Sequence, residues 1–221
     1  MDVLEAMKQR HSVRSYKKIP LEDTVASQLE QFILECNKES GLHIQLVKNE
    51  PKAFDSTMAH YGKFSGVTNY IAMIGRKDKN LDEQCGYYGE KIVLHAQQMG
   101  LNTCWVAMTY KKIPSAFKIE SGEKLVIVIA IGYGVTEGVM HKSKTPEAVS
   151  FSNGNAPQWF KNGIDAALLA PTALNQQKFK FILEGNKVTA KAGLGFYSKI
   201  DLGIVKYHFE AAAGKDNFIW A

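Results

Sequence analysis

Arg10, His11, Ser12, Val13 and Arg14 follow one another near the start of the 221-residue chain. In an extended segment successive side chains point to opposite faces, so Arg10, Ser12 and Arg14 share one side. That comb suits a phosphate group. Each guanidinium presents a planar fork of donors that matches phosphate oxygens bidentately, and the serine hydroxyl adds a neutral donor between the forks. The same five residues also fit two solvated arginines beside a helix end, and only matching parts elsewhere decide between the two readings. Further donors stand at Lys63, at Lys142 and Lys144 around Ser143, and in a late stretch from Pro171 to Gln177 that holds Asn175. The motifs of nucleophilic and metal catalysis are missing: there is no GxSxG, no HExxH and no metal-spaced histidine cluster. Cys104 beside Trp105 reads as a small buried hydrophobe before it reads as a nucleophile.

These residues are carried by a chain of ordinary globular composition, 45% hydrophobic and 22% charged, long enough for one large domain or two small ones. Lys+Arg 27 against Asp+Glu 22 gives a net charge of +5, spread along the chain without a block of like charges. A mild, dispersed excess fits a small anionic ligand better than a polynucleotide, and no basic stretch interleaved with aromatics supports nucleic-acid binding. Cys36, Cys85 and Cys104 are odd in number and form no CxxC, so neither a disulfide framework nor a metal site is expected, and a reducing cytoplasm is the expected location. Met1 to Arg14 lacks the apolar core of a signal peptide, and the longest strongly apolar run, Leu125 to Ile131, is far short of the ~20 residues that span a bilayer.

The elements that must position the donors follow from periodicity. Asp2 caps a short helix bearing Val3, Leu4 and Met7, and the comb comes directly after it. Pro20, Glu22 and Asp23 open a second helix with Val25, Leu29, Phe32 and Ile33 as its stripe, running out near Asn37. Leu42 to Leu46 alternates as a half-buried strand, Pro51 to Lys63 reads as helical, and Asn69 to Ile74 as a more uniformly apolar strand. Leu81 to Met99 is the clearest helix, stopped by Gly100. Gly86 and Gly89 inside it cost ~1 kcal/mol each relative to alanine, so close approach of another helix or a ligand is expected there. Leu101 to Ala107 is a short extended connection, Pro114 to Phe117 a helical turn, and Lys124 to Ile131 a central strand.

Phe151 to Pro157, rich in turn formers, is the expected linker between a larger part, residues 1–150, and a shorter one, residues 151–221, within one compact unit. Beyond it Trp159 to Ala170 is amphipathic and stopped by Pro171. Phe179 to Leu183 alternates as a strand, Gly185 and Asn186 turn it, and Val188 starts its hairpin partner. Asp201 is expected to cap a last helix that ends at Gly214. Gly86 to Gly100 and Asp201 to Gly214 look like counterparts, which fits either a weak internal duplication or two independent α+β pieces.

The run from Arg10 to Arg14 closely resembles the RHSxK/R signature of FMN-dependent nitroreductases. Lys63, shortly before an apolar strand, sits where that family carries a lysine reaching the flavin. Leu101 to Val106 (LNTCWV) is similar to its GLGTCW segment, and Lys142, Ser143 and Lys144 after Gly132, Tyr133 and Gly134 resemble its K-S-R element. The family's APSxxNxQPW loop is absent from its usual place, where Glu35 to Leu42 reads ECNKESGL. It is found late instead, as Ala170 to Gln177 (APTALNQQ), with Lys178 and Phe179 in place of Pro-Trp. The chain therefore resembles the single-chain, TM-type branch of the family, a pseudo-dimer whose C-terminal part plays the second subunit.

The resemblance implies an α+β, nitroreductase-like fold, with a central, mostly antiparallel sheet flanked by helices and two unequal pseudo-repeats. It implies one FMN site held by Arg10, His11, Ser12, Arg14, Lys63, Lys142 and Lys144. Backbone near the reactive edge of the ring would come from Ala107 or Met108, with Pro171, Thr172, Ala173 and Asn175 closing over it. Lys63 equally fits a solvated turn lysine, and the late loop a surface Asx-rich turn. No side chain need act as catalytic acid or base, because the flavin carries the redox chemistry. The implied activity is an oxidoreductase: NAD(P)H reduces the flavin, which passes electrons to a small organic acceptor such as a nitroaromatic or quinone. A flavin carrier or sensor without turnover, and an FMN enzyme of different outcome, are the competing readings. A monomer is expected, since a linker replaces association by a local effective concentration, and neither nucleic acid nor membrane is an expected partner.

Overall fold

Asn69–Arg76 is buried along almost its whole length, as a uniformly apolar run requires, and is an inner strand of the first of two sheets. The computed structural model describes residues 1–221, and their contacts divide them into two units. One comprises Gln9–Leu81 and Ile92–Met140. The other comprises Met1–Lys8, Asp82–Lys91 and His141–Ala221.

In the first of these, β1 (Gln45–Val47), β2 (Asn69–Arg76), β3 (Asn102–Val106) and β4 (Glu123–Gly132) form a four-stranded antiparallel sheet in the order β1-β2-β4-β3. Ile71 pairs with Ile129 and Ala72 with Val128, and a bulge between Met73 and Ile74 shifts the register toward Lys124. Val13, Tyr16, Phe54, Phe64, Tyr70, Cys104, Val106 and Val128 join in its core. The helix Asp23–Ser40 ends on Gly41, whose φ of 71° is the left-handed geometry that glycine adopts without Cβ strain. It runs one turn beyond Asn37, whose side chain instead pins the following strand by bonds to both the carbonyl and the N–H of Ile44 (2.9 and 2.8 Å). The expected helix over Pro51 to Lys63 resolves into a 3-10 turn at Pro51–Ala53 and one short helix, Thr57–Tyr61.

The other unit holds a second sheet in the order β5-β6-β7-β8: β5 (Ser150–Ser152), β6 (Phe179–Glu184), β7 (Lys187–Ala192) and β8 (Ile219–Trp220). The hairpin of β6 and β7 is antiparallel, and the two outer strands pair in parallel. Phe151 is therefore not linker. It lies in β5 opposite Ile182, a pairing too distant in sequence to show in local composition. The helix Ser198–Ala213 packs on the sheet and Gln158–Ala167 packs on that helix, with Phe209 stacked on Phe181 (centroids 4.7 Å apart) and seated where Gly163 leaves no Cβ in its way.

Leu81–Gln98 is one helix whose first half, Asp82–Lys91, is grouped with this second unit. There the expected close approach is found. A Cβ on Gly86 would lie 2.0 Å from the Ile200 carbonyl oxygen, and one on Gly203 would lie 2.0 Å from that of Glu83. Glycine at both positions lets the two helix backbones touch. Around the crossing, Glu90 and His208 form a fully buried pair at 2.9 Å, with the other imidazole nitrogen on the Ala166 carbonyl. No helix is long and apolar enough to cross a membrane.

Candidate functional site

The comb is pinned from three directions in the first unit. Ser12 bridges in parallel to Thr103 of β3, and Val13 N–H donates to the Thr103 carbonyl (3.0 Å). On another side, Ser65 N–H donates to the Arg14 carbonyl and Tyr16 N–H to that of Ser65, both at 2.9 Å. On the third, Lys17 N–H donates to Tyr133, and Val135 N–H to Ser15. The segment is thus extended, as the spacing predicts, without belonging to the sheet. Val13 and Tyr16 enter the core, Arg14 is exposed, and Arg10 is only 3% exposed. Two glycines make the fit possible. Gly66 has a φ of 72°, and a Cβ there would fall 2.0 Å from the Tyr16 carbonyl oxygen; Gly138 packs against His11 and the Ser12 carbonyl.

The Cys104 thiol lies within the electrostatic reach of Arg10, Ser12 and Arg14. Burial pushes that thiol's pKa up, while the Arg14 charge, a hydrogen bond with Ser12 and the Arg10 charge pull against it. Cys104 is buried, as expected of a small hydrophobe, and the parallel bridge of Ser12 to the neighbouring Thr103 brings this stretch of β3 to the comb.

Lys63 and the Ala107–Met108 stretch belong to the same unit. Lys63, exposed and in the left-handed region (φ 61°), follows Gly62, and a Cβ on Gly62 would come within 2.6 Å of Thr109, next to Met108. The residue after Lys63, Phe64, lies 6.0 Å beneath the Arg14 guanidinium. Arg10, His11, Ser12, Arg14, Lys63, Ala107 and Met108 therefore all belong to the unit that holds the first sheet.

Lys142, Lys144, Pro171, Thr172, Ala173 and Asn175 belong to the other unit, where a second constellation is built. The helix Gln158–Ala167 ends before Pro171, and Ala173–Asn175 forms a 3-10 turn with Leu174 and Asn175 both at φ 52°. Asn175 Nδ2 donates to the Lys142 carbonyl (2.8 Å), and Ser143 Oγ to that of Leu168 (2.9 Å). Gln177, 3% exposed and at φ 45°, ties these parts together. Its Oε1 accepts from Lys144 N–H (2.8 Å), its Nε2 donates to the Lys142 carbonyl (2.9 Å) and to Asn175 Oδ1 (2.8 Å), and its own carbonyl accepts from Lys144 Nζ (2.9 Å). One of the lysine's three donors is thereby committed within the loop.

Asp201 is a correction. It does not cap its helix, which begins at Ser198 after the left-handed Tyr197, but stands inside it, buried. Its carboxylate accepts from Ala173 N–H (3.0 and 3.2 Å) and from Gln176 Nε2 (2.7 Å), bracing the late loop from beneath. Burial raises its pKa to about 6 against the pull of those two donors. An aspartate before an apolar run looks the same in sequence whether it caps or braces, so no local signal separates the two. No group of three or more His, Cys, Asp or Glu is arranged to hold a metal ion.

A family model described as "Putative TM nitroreductase" matches residues 2–213. A crystal structure from Thermotoga maritima, described as a nitroreductase, is 23% identical and superposes with a TM-score of 0.68 over 98% of this chain and 85% of that one. A Bacteroides thetaiotaomicron protein described as an NADH dehydrogenase/NAD(P)H nitroreductase is 19% identical, with a TM-score of 0.53 over 67% of this chain and 96% of that one. Nitroreductase A of Vibrio parahaemolyticus is 11% identical, with a TM-score of 0.52 over 65% and 73%. At these identities the structures share the fold: an α+β, nitroreductase-like architecture. No curated protein matches.

Proposed function

The chain belongs to the TM nitroreductase family and is by that membership an oxidoreductase, and on this premise we propose that it binds FMN and uses NAD(P)H to reduce a small organic acceptor such as a nitroaromatic or quinone. The observation that carries the reading is that Arg10, Ser12 and Arg14 stand on one extended segment pinned to Thr103, Ser65 and Tyr133. The donor set fits the cofactor's phosphate, which carries close to two negative charges near neutral pH. Two guanidiniums oppose that charge, and a hydroxyl between them donates a further bond. A buried guanidinium such as Arg10 is held in one orientation, so little freedom is lost when it meets an anion.

Each residue then has a stated task. Arg10, Ser12 and Arg14 bind the phosphate, with His11 between them, and Lys142 and Lys144 add positive charge. Lys63 serves the polar edge of the ring or the ribityl chain. Ala107 or Met108 offers a backbone N–H, and Pro171, Thr172, Ala173 and Asn175 contribute the covering loop. The flavin, when bound, supplies the two-electron chemistry; the protein orients it, tunes its charge and leaves one face accessible. A monomeric holoprotein is part of the same proposal, tested by the solution mass.

Fluorescence titration with FMN tests the phosphate role. A charge-assisted bond contributes ~1.5–3 kcal/mol, so Arg14→Ala is expected to weaken binding about tenfold or more. Unchanged affinity removes the comb from the site. Mixing the flavin-loaded protein with NADH or NADPH in a stopped flow then tests turnover. Bleaching supports the oxidoreductase reading, whereas a flavin that stays yellow with both favours a carrier or sensor, the reading that Lys178 and Phe179 in place of Pro-Trp leave open.

A further inference from the structure

Gln177 makes more polar contacts than any other residue of the late loop, although nothing in the reading of the site assigns it a task. It is buried, and its backbone holds a left-handed conformation that a non-glycine residue adopts only at a cost, so its surroundings must fix it there. Its N–H donates to Thr172 Oγ1 (3.0 Å) and its carbonyl accepts from Lys144 Nζ (2.9 Å). Both ends of its side-chain amide are used, Oε1 by Lys144 N–H and Nε2 by the Lys142 carbonyl and Asn175 Oδ1.

That last bond determines which way Asn175 faces. Asn175 Nδ2 donates to the Lys142 carbonyl, while its Oδ1 accepts a hydrogen bond from Gln177 Nε2. The Lys142 carbonyl oxygen and Asn175 Oδ1 both face Nε2, a donor, so rotating either amide by half a turn sets acceptor against acceptor. Asn175 is exposed and keeps one N–H and one lone pair beyond these bonds. Which of its atoms can meet a ligand is set by its buried neighbour two residues on.

We propose that Gln177 is a positioning residue: its side-chain amide locks the amide orientation of Asn175 and thereby sets how well that asparagine serves the flavin. The inference rests on the reading that Asn175 contributes to flavin binding. Gln177→Glu is the sharpest probe, because it keeps the volume and the acceptor for Lys144 N–H while replacing the donor with an oxygen that opposes both the Lys142 carbonyl and Asn175 Oδ1. Gln177→Met keeps the volume, removes the whole set of side-chain bonds, and takes the place of the glutamate variant if that one fails to fold.

The test is a double-mutant cycle on FMN affinity, joined to the side-chain amide resonances of Asn175 in flavin-free protein by NMR. Gln177→Glu is expected to weaken FMN binding at least fivefold in the wild-type background and less than twofold when Asn175 is already alanine. The Asn175 side-chain resonances are expected to move in the flavin-free variant. A fivefold loss that persists in the Asn175→Ala background, or resonances that stay in place, overturns the positioning role while leaving the flavin reading intact. A wild-type protein that takes up no FMN overturns the flavin reading itself, and the inference with it.

Discussion

Replacing Gly203 by alanine puts one methyl group into the place where two helices meet. On Ser198–Ala213 that carbon would stand 2.0 Å from the Glu83 carbonyl oxygen and 2.6 Å from the Tyr87 nitrogen. Both are backbone atoms of Leu81–Gln98, so no rotamer change relieves the overlap, and the helices must part by about 1.5 Å to restore an ordinary contact. Overpacking of this kind costs ~1–3 kcal/mol, occasionally more. The intrinsic preference for alanine in a helix returns about 1 kcal/mol. Parting the helices also stretches the buried Glu90–His208 pair and the contact of Tyr87 with Glu210, which lie on the same two helices. A net loss of about 3 kcal/mol is expected, equivalent to a urea midpoint lower by roughly 1 M for a chain of this size. Gly86→Ala should behave alike, and the double variant should cost less than the sum, because one separation relieves both overlaps. Equilibrium urea unfolding followed by circular dichroism is the assay. A Gly203→Ala midpoint equal to or above the wild type would refute the claim that backbone contact, not helix propensity, dictates glycine there.

Other perturbations test separate parts of the structure. Glu90→Ala leaves the imidazole of His208 without its carboxylate in a fully buried setting and is expected to lower unfolding free energy by about 3–5 kcal/mol, read by denaturant titration. Asp201 binds its proton more tightly folded, at about 6, than in the unfolded chain near 3.8, so its contribution to stability is greatest at low pH and declines as pH rises between those values. Asp201→Asn should remove that decline, at most about 3 kcal/mol, so that the wild-type-minus-variant difference in urea midpoint falls from pH 4 to pH 7 and is flat above. Gly66→Ala meets both a positive φ and the Tyr16 carbonyl oxygen, and is expected to reduce stability and FMN affinity together, measured by thermal unfolding and titration.

Much of this arrangement was legible because it is local. The N–H of Glu5 donates to the capping Asp2 Oδ1 at 2.8 Å, the helix over Leu81–Gln98 and the strands over Asn69–Arg76 and Glu123–Gly132 lie where periodicity puts them, and the glycine within Leu81–Gln98 marks a helix crossing. The comb was legible too, since alternation in an extended segment needs no knowledge of the partner. What escaped depends on residues far apart in the chain. The parallel pairing of Phe151 with Ile182, the short strand Ile219–Trp220 and the bracing role of Asp201 each need a neighbour that no window contains. Gln177 was visible as a letter of the late motif, but its hub role requires the carbonyl of Lys142 to be nearby, and a carbonyl has no signature in a sequence.

Three sulfhydryl groups, at Cys36, Cys85 and Cys104, are all unpaired by disulfides and sealed from solvent. Cys85 lies in the unit that holds the second sheet, and Cys36 and Cys104 lie in the unit that holds the first. A pulse of alkylating reagent at rising denaturant, with each site counted by mass spectrometry, would therefore report the opening of each unit through its own native label. Simultaneous modification of all three would mean that the protein comes apart in a single cooperative event; staggered modification would reveal a half-open species.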